Sequence, residues 1–325
     1  MSDRAVPDAA ASRAPTGRTG LVGAGAGAEA GAEAGGRPGG GATPDAAHPG
    51  TLGLIAGGGD LPRLIAEDRA RRGLGVFVVR FAGVEASWAA AHPHADLPFE
   101  HPGALFARLR AAGADALCFA GGMRRPWLNP LRFDRTAWGL IARVPPLLLK
   151  RDDAMLRGFA AILEAEGFAI VSAQAQLSGL LAAEGVLSAR RPTEAEAADA
   201  ALAARAAADL GRADLGQAAV AARGAVLARE GAEGTDAMLA VLAARGGAGG
   251  AGALHKAPKP GQDWRLDLPA IGPRTLRAAA EAGLAGVCVQ AGGVLILGPE
   301  ETAAAADETG LFLWGRPRGP EEDAP

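Results

Sequence analysis

Two short apolar runs, Leu52–Ala56 and Ala116–Ala120, each pass straight into glycines, Gly57-Gly58-Gly59 in one case and Gly121-Gly122 in the other. A β-type run that breaks at glycine and then meets a helical pattern is the repeating unit of a parallel sheet. After the first run Asp60 can cap a helix whose Leu61, Leu64 and Ile65 share one face, and Gly73 ends it. Val76–Phe81 is a second strand-like run, and Leu105 and Leu109 mark a helix that stops at Gly113. Asp153–Glu166 reads as a helix before a strand at Phe168–Ser172. The alternation predicts an α/β fold that opens with a parallel sheet carrying helices on both faces.

Residues 174–192 read as a connection. An Ala-rich helix then runs from Glu194 to Leu210, and Gln217–Ala222 and Ala225–Arg229 flank Arg223-Gly224 as a hairpin. A helix at Thr235–Arg245, a glycine-rich loop at 246–252, a helix at Arg274–Ala282, strands at Gly286–Gln290 and Val294–Leu297, a helix at Glu300–Thr309 and a strand at Leu311–Trp314 complete a second α/β domain. The expected organisation is an extension at 1–50, an N-terminal domain at 51–180, a C-terminal catalytic domain at 181–316 and a frayed tail at 317–325. Of the first 50 residues 26 are Gly or Ala, and only Met1, Val6, Leu21 and Val22 are large and apolar. Such a segment buries too little to offset its ordering entropy, so disorder is expected.

The net charge of −3 offers no basic field for nucleic acid, so any anion site must be built locally. Cys118 and Cys288 each sit in an apolar run, which suits buried thiols in a reducing cytoplasm. The longest membrane-like stretch, Leu284–Leu297, is interrupted by Gln290, Gly292 and Gly293, and the N-terminus lacks a signal-peptide core.

Five motifs could carry chemistry. Gly57-Gly58-Gly59 lets backbone N–H groups approach a phosphate or another polar ligand, or is a tight structural turn. It is a poor dinucleotide fingerprint: Pro62 stands where the third glycine belongs, and the second strand holds Arg80 rather than an acid. Gly121-Gly122-Met-Arg124-Arg125-Pro126 follows the third strand and suits an anion, or is a solvated basic loop. Asp152-Asp153 caps a helix or binds a divalent metal. In Glu233-Gly234-Thr235-Asp236, Thr235 is a natural cap and Asp236 opens a helix. Together they could orient a metal-bound phosphate or a sugar hydroxyl, although capping explains them nearly as well.

The densest motif is Lys256-Ala-Pro-Lys259-Pro-Gly-Gln262-Asp263-Trp264-Arg265-Leu-Asp267-Leu-Pro269. Its prolines and glycine forbid a regular helix and predict a shaped loop. Lys256, Lys259 and Arg265 offer charge to a pyrophosphate, and Asp263 and Asp267 offer carboxylates to a metal or an attacking water. Phosphoanhydride cleavage needs both, because its catalysis is mostly positioning and charge neutralisation. The His92–His101 stretch, cut by prolines, reads as a polar loop rather than a metal site, and no nucleophile elbow appears.

Taken in order from about Leu52 to Trp314, Leu-Gly-Leu-Ile-Ala-Gly-Gly-Gly, Phe119-Ala-Gly, Asp152-Asp153-Ala, Asp214-Leu-Gly-Gln217, Glu233-Gly-Thr-Asp-Ala-Met238 and the Lys256–Pro269 block resemble the LpxI-type UDP-2,3-diacylglucosamine pyrophosphatases. The resemblance implies a Rossmann-like N-terminal domain, a C-terminal α/β domain and a cleft between them. It implies Mg²⁺-assisted hydrolysis of UDP-2,3-diacylglucosamine to UMP and 2,3-diacylglucosamine 1-phosphate, in a cytoplasmic protein that touches the inner membrane peripherally and transiently. It leaves room for a homodimer. The family's essential aspartate in Arg-x-Asp-Leu-Pro falls on Asp267. On this reading Asp267 and Asp236 are catalytic and hold the metal. Gly57, Gly58, Gly59, Gly121, Gly122, Thr235, Lys256, Lys259, Gln262 and Arg265 bind substrate. Arg151, where the family tends to have a small residue, weakens a metal role for Asp152 and Asp153. The rival readings are a nicotinamide-dependent oxidoreductase and a non-catalytic nucleotide-sugar or lipid-binding protein.

Overall fold

The structure is a computed structural model that describes residues 47–123, 127–143, 152–177, 179–319 and 322. Residues 1–46 of the N-terminal extension, the Arg124-Arg125 pair and Arg151 lie outside these residues.

The first half alternates as expected. Its elements are β1 (Thr51–Ala56), α1 (Leu61–Arg71), β2 (Val76–Phe81), β3 (His94–Leu97), α2 (Pro102–Ala111), β4 (Ala114–Ala120), α3 (Arg135–Arg143), α4 (Asp152–Ala165), β5 (Ala169–Ile170) and α5 (Ala173–Gln176). The strands form one sheet in the order β3-β2-β1-β4-β5, every pair parallel. Leu52, Leu54, Val78 and Cys118 pack with Leu61 and Ile65 on one face, and Ile55, Val79, Leu117 and Phe119 pack with Leu105, Leu109 and Leu163 on the other. A strand buried on both faces reads as a continuous apolar run, which is why β1 and β4 were plain in the sequence.

Three local expectations change. Asp60 makes no side-chain cap bond, and its carboxylate lies 3.7 Å from Arg63 instead. The supposed polar loop around His94 contains β3, joined to β2 by Val78 N donating to Pro93 O at 2.8 Å and by a two-pronged pair in which Arg80 donates to Asp96. Arg80, conspicuous where a dinucleotide site would want an acid, is therefore a cross-strand partner. Residues 48–50 are also held: the buried Arg69 guanidinium donates to His48 O, Gly50 O and Gly75 O and to Gln176 Oε1.

The second half runs β6 (Gly185–Val186), α6 (Glu194–Arg212), β7 (Ala218–Ala222), β8 (Ala225–Arg229), α7 (Gly234–Ala244), β9 (Ala253–Lys256), β10 (Ala270–Ile271), α8 (Pro273–Glu281), β11 (Gly286–Gln290), β12 (Leu295–Ile296), α9 (Pro299–Thr309) and β13 (Phe312–Arg316). The main sheet orders them β6-β13-β11-β9-β7-β8, with a parallel centre β13-β11-β9 and antiparallel flanks. Thr193 and Glu196 close a capping box on α6, which covers one face, while α7, α8 and α9 cover the other. The start of the Lys/Pro segment, expected as loop, is the central strand β9. The strands expected around 284–297 belong to different sheets, since β12 pairs with β10. Strand β13 ends at Arg316, and within the stretch that follows Glu322 is buried against Arg316 while it accepts from Gly319 N at 2.8 Å.

The loop before β10 ties the halves together. Leu266 packs in the core beneath α2 and α4, and Leu268 packs with Leu295 in the core beneath α1. Asp267, between two buried leucines, is exposed.

Candidate active site

The chain of the first sheet leaves β1 toward β2 and later returns to β4 on the other side. The reversal therefore falls between β1 and β4, the switch point where open α/β sheets hold ligands. Both glycine turns stand there. Gly58 and Gly122 form an antiparallel bridge, with Gly58 N donating to Gly122 O at 2.7 Å and Gly122 N to Gly58 O at 3.0 Å, and Gly57 N donates to Ala120 O at 2.7 Å. These three N–H groups are committed to the neighbouring loop rather than offered to a phosphate. The glycines are needed because the loops nearly touch: a Cβ on Gly57 would lie 2.4 Å from Gly121 O.

A cavity of about 410 Å³ opens beyond these turns. Gly58, Gly59, Gly121 and Gly122 line it from the first half, and Thr235, Asp236, Lys256, Arg265 and Asp267 line it from the second. A larger hollow of about 660 Å³ lies near Thr51, Gly75 and His94. It sits at the amino ends of β1, β2 and β3, the wrong edge for a parallel-sheet ligand site, so the smaller cavity is the candidate.

Lys256, at the end of β9, is buried, and its Nζ donates to Ala270 O at 3.1 Å. Burial pulls its pKa below the usual lysine value, opposed by the nearby carboxylates of Glu230, Asp236 and Asp267. Asp236 lies in the first turn of α7 and is exposed to the cavity. Thr235 is not the cap that its position suggested. The cap residue is Glu233, and Thr235 is buried inside the helix with its hydroxyl directed at Glu230.

The Lys/Pro loop divides its residues between lining and bracing. Gln262 is buried, accepts from Lys259 N at 2.9 Å and donates from Nε2 to Asp267 Oδ2 at 3.1 Å. It positions Asp267 and does not line the cavity. Lys259, read as a phosphate ligand, sends its Nζ to Asp214 Oδ1 at 2.8 Å and is likewise absent from the lining. Arg265 donates to Asp263 and, at 2.9 Å, to Glu164 on α4, and both partners raise its pKa. The same pairing holds the Asp263 carboxyl below the usual carboxylate range. Gly57 belongs to the packing of the turns rather than to the lining.

Sequence reasoning missed Glu230 and named Gln217 only within the Asp214–Gln217 stretch, with no role in the site. Glu230, just past β8, is buried and lines the cavity, and Gln217 N donates to its Oε2 at 2.7 Å. An acid after Arg229 reads as the polar exit of a hairpin, so only the fold reveals it. The side chains of Asp152 and Asp153 lie outside the described residues.

The arrangement offers a cation flanked by acids, at a sheet edge built for ligands. Asp236 and Asp267 are hard oxygen donors on one cavity. Among the described residues no three His, Cys, Asp or Glu side chains cluster as a metal cage. That donor set fits an ion held by one or two carboxylates together with substrate phosphates.

Comparison with known proteins agrees in both halves. Residues 51–180 match the model of the LpxI N-terminal domain and residues 183–314 that of the LpxI C-terminal domain. The chain is also 40% identical over 270 residues to the UDP-2,3-diacylglucosamine pyrophosphatase LpxI of Caulobacter vibrioides, covering 81% of this chain and 96% of that protein.

Proposed function

The chain belongs to the LpxI family, and on that premise we propose that it hydrolyses the pyrophosphate bond of UDP-2,3-diacylglucosamine. The products are UMP and 2,3-diacylglucosamine 1-phosphate (lipid X), in lipid A biosynthesis. The observation that carries this reading is the convergence of Asp236, Asp267 and Lys256 on one cavity at the switch point of the first sheet.

Asp267 orients the attacking water at a phosphorus of the anhydride, held at its angle by Gln262 and by the leucines on either side. The bridging P–O bond breaks, and one phosphate leaves with the bridging oxygen. Lys256 and Arg265 hold the phosphate oxygens, and Asp236 assists from α7. Lys259 and Gln262 brace the loop that carries Asp267. Mg²⁺, held by Asp236 and Asp267 with the substrate phosphates, would neutralise charge that develops on the transferring oxygens.

A diacylated substrate resides in a bilayer, so the reading includes transient contact with the inner-membrane surface from the cytoplasm. No helix among the described residues is long and apolar enough to cross a membrane. The test is to incubate the protein with UDP-2,3-diacylglucosamine and follow UMP release with Mg²⁺ and after chelation. Release that depends on Mg²⁺ supports the reading. Binding without UMP would leave a nucleotide-sugar-binding protein in its place.

A further inference from the structure

We propose that the segment from Trp127 to Trp138 is the face by which the protein lies against an anionic lipid bilayer, an inference that rests on the diacylated substrate proposed above. Among the described residues eight large apolar side chains are exposed, and four of them (Met123, Trp127, Leu131 and Trp138) fall within sixteen residues of chain. Trp127 is 94% and Leu131 95% exposed, far beyond what scattered surface residues show.

The exposure is built rather than incidental, because the segment is held from its inner side. Asn129 N donates to the buried Glu100 carboxylate at 3.3 Å, and Arg132 O meets the His101 ring at 3.0 Å. Asp134 accepts from Gly103 N at 2.8 Å and Ala137 N at 2.7 Å, and Trp138 packs edge-on against Phe133 with ring centroids 5.4 Å apart. Polar groups thus face the protein while Trp127 and Leu131 face out.

Charge selects the occupant. Arg132 and Arg135 are exposed among these apolar side chains, and Asp134, the one acid between Trp127 and Trp138, is occupied by backbone donors. Tryptophan and leucine beside arginine match the interfacial layer of a membrane with anionic headgroups. Met123, exposed ahead of this segment, directly follows Gly122 of the cavity wall in the chain.

The experiment is sedimentation of the full chain with phosphatidylcholine vesicles, with and without phosphatidylglycerol and free of the glycolipid. Wild type should partition onto the anionic vesicles. Trp127→Ala/Leu131→Ala should lower that partition about tenfold or more. Arg132→Gln/Arg135→Gln should do likewise and flatten the salt dependence. All four side chains are exposed, so melting temperatures should match wild type, and turnover of detergent-dispersed substrate by the first variant should be unchanged. Undiminished partition of that variant overturns the proposal, as does wild type that ignores the vesicles. A dimer in sedimentation equilibrium that the same variant dissociates, without vesicle binding, assigns the face to a second copy instead. Vesicle binding is read without substrate, so failure of the hydrolase reading appears separately, as missing UMP.

Discussion

The hydroxyl of Thr235, in the first turn of α7, donates to Glu230 Oε1 at 2.5 Å. With Gln217 N on the other oxygen, the buried carboxylate is satisfied on both sides beside Lys256. Thr235→Val keeps the shape and removes one donor, leaving a carboxylate oxygen buried without its partner. Urea unfolding should show a loss of about 1–3 kcal/mol. Thr235→Ser keeps the hydroxyl and should restore most of it. Equal stability in Thr235→Val would make the pairing incidental.

Asp267→Asn keeps the volume and the flanking leucines but removes the charge. Folding should be nearly intact, because the side chain is exposed. Turnover should fall by several orders of magnitude, as expected when electrostatic stabilisation worth about 3–4 kcal/mol or more is lost. Gln262→Ala should act more weakly in the same direction, since it orients the carboxylate and touches no substrate. UMP release by Asp267→Asn at the wild-type rate would remove Asp267 from the mechanism.

What could be read in advance followed physical rules of unequal reach. The strands β1, β2 and β4 were legible because burial on both faces makes a strand continuously apolar. The sheet edge that holds ligands then followed from Gly57–Gly59 and Gly121–Gly122. Strand β9 was hidden because its sequence Ala-Leu-His-Lys puts two ionisable groups in the centre of a sheet, just before prolines. The pairing of Lys259 with Asp214, 45 residues away, lies beyond any local pattern. Glu230 was missed because a buried acid is recognisable only once Thr235 and Gln217 are seen around it.

Gly57→Ala tests whether the glycine turns pack or bind. The new Cβ would meet Gly121 O at 2.4 Å and Gly122 O at 2.7 Å, both rigid backbone. The loops must part, breaking the Gly58–Gly122 bridge at the cavity mouth. A loss of about 1–3 kcal/mol is expected in thermal unfolding, together with weaker substrate binding. Gly139→Ala, in α3 with nothing within 4 Å of its new Cβ, should be neutral or slightly stabilising. Equal behaviour of the two variants would refute the packing account.

His255, at the centre of the second sheet, has both ring nitrogens buried without partners among the described residues. Burial, with Arg316 adding to it, pushes its pKa down from 6.5 to about 3. The neutral ring is therefore the folded form. Between about pH 6.5 and about pH 3 the unfolded chain takes up a proton that the folded chain refuses, so stability is full above this window and lost as pH falls through it. The slope should approach about 1.4 kcal/mol per pH unit from this residue alone. Urea unfolding of wild type and His255→Leu at about pH 6.5 and about pH 4.5 isolates it from the carboxylates, which both proteins share. The leucine variant should lose distinctly less stability on acidification, because its side chain has no proton to bind in either state. Parallel losses in the two proteins would mean that the ring already finds a proton, or a partner, inside the fold.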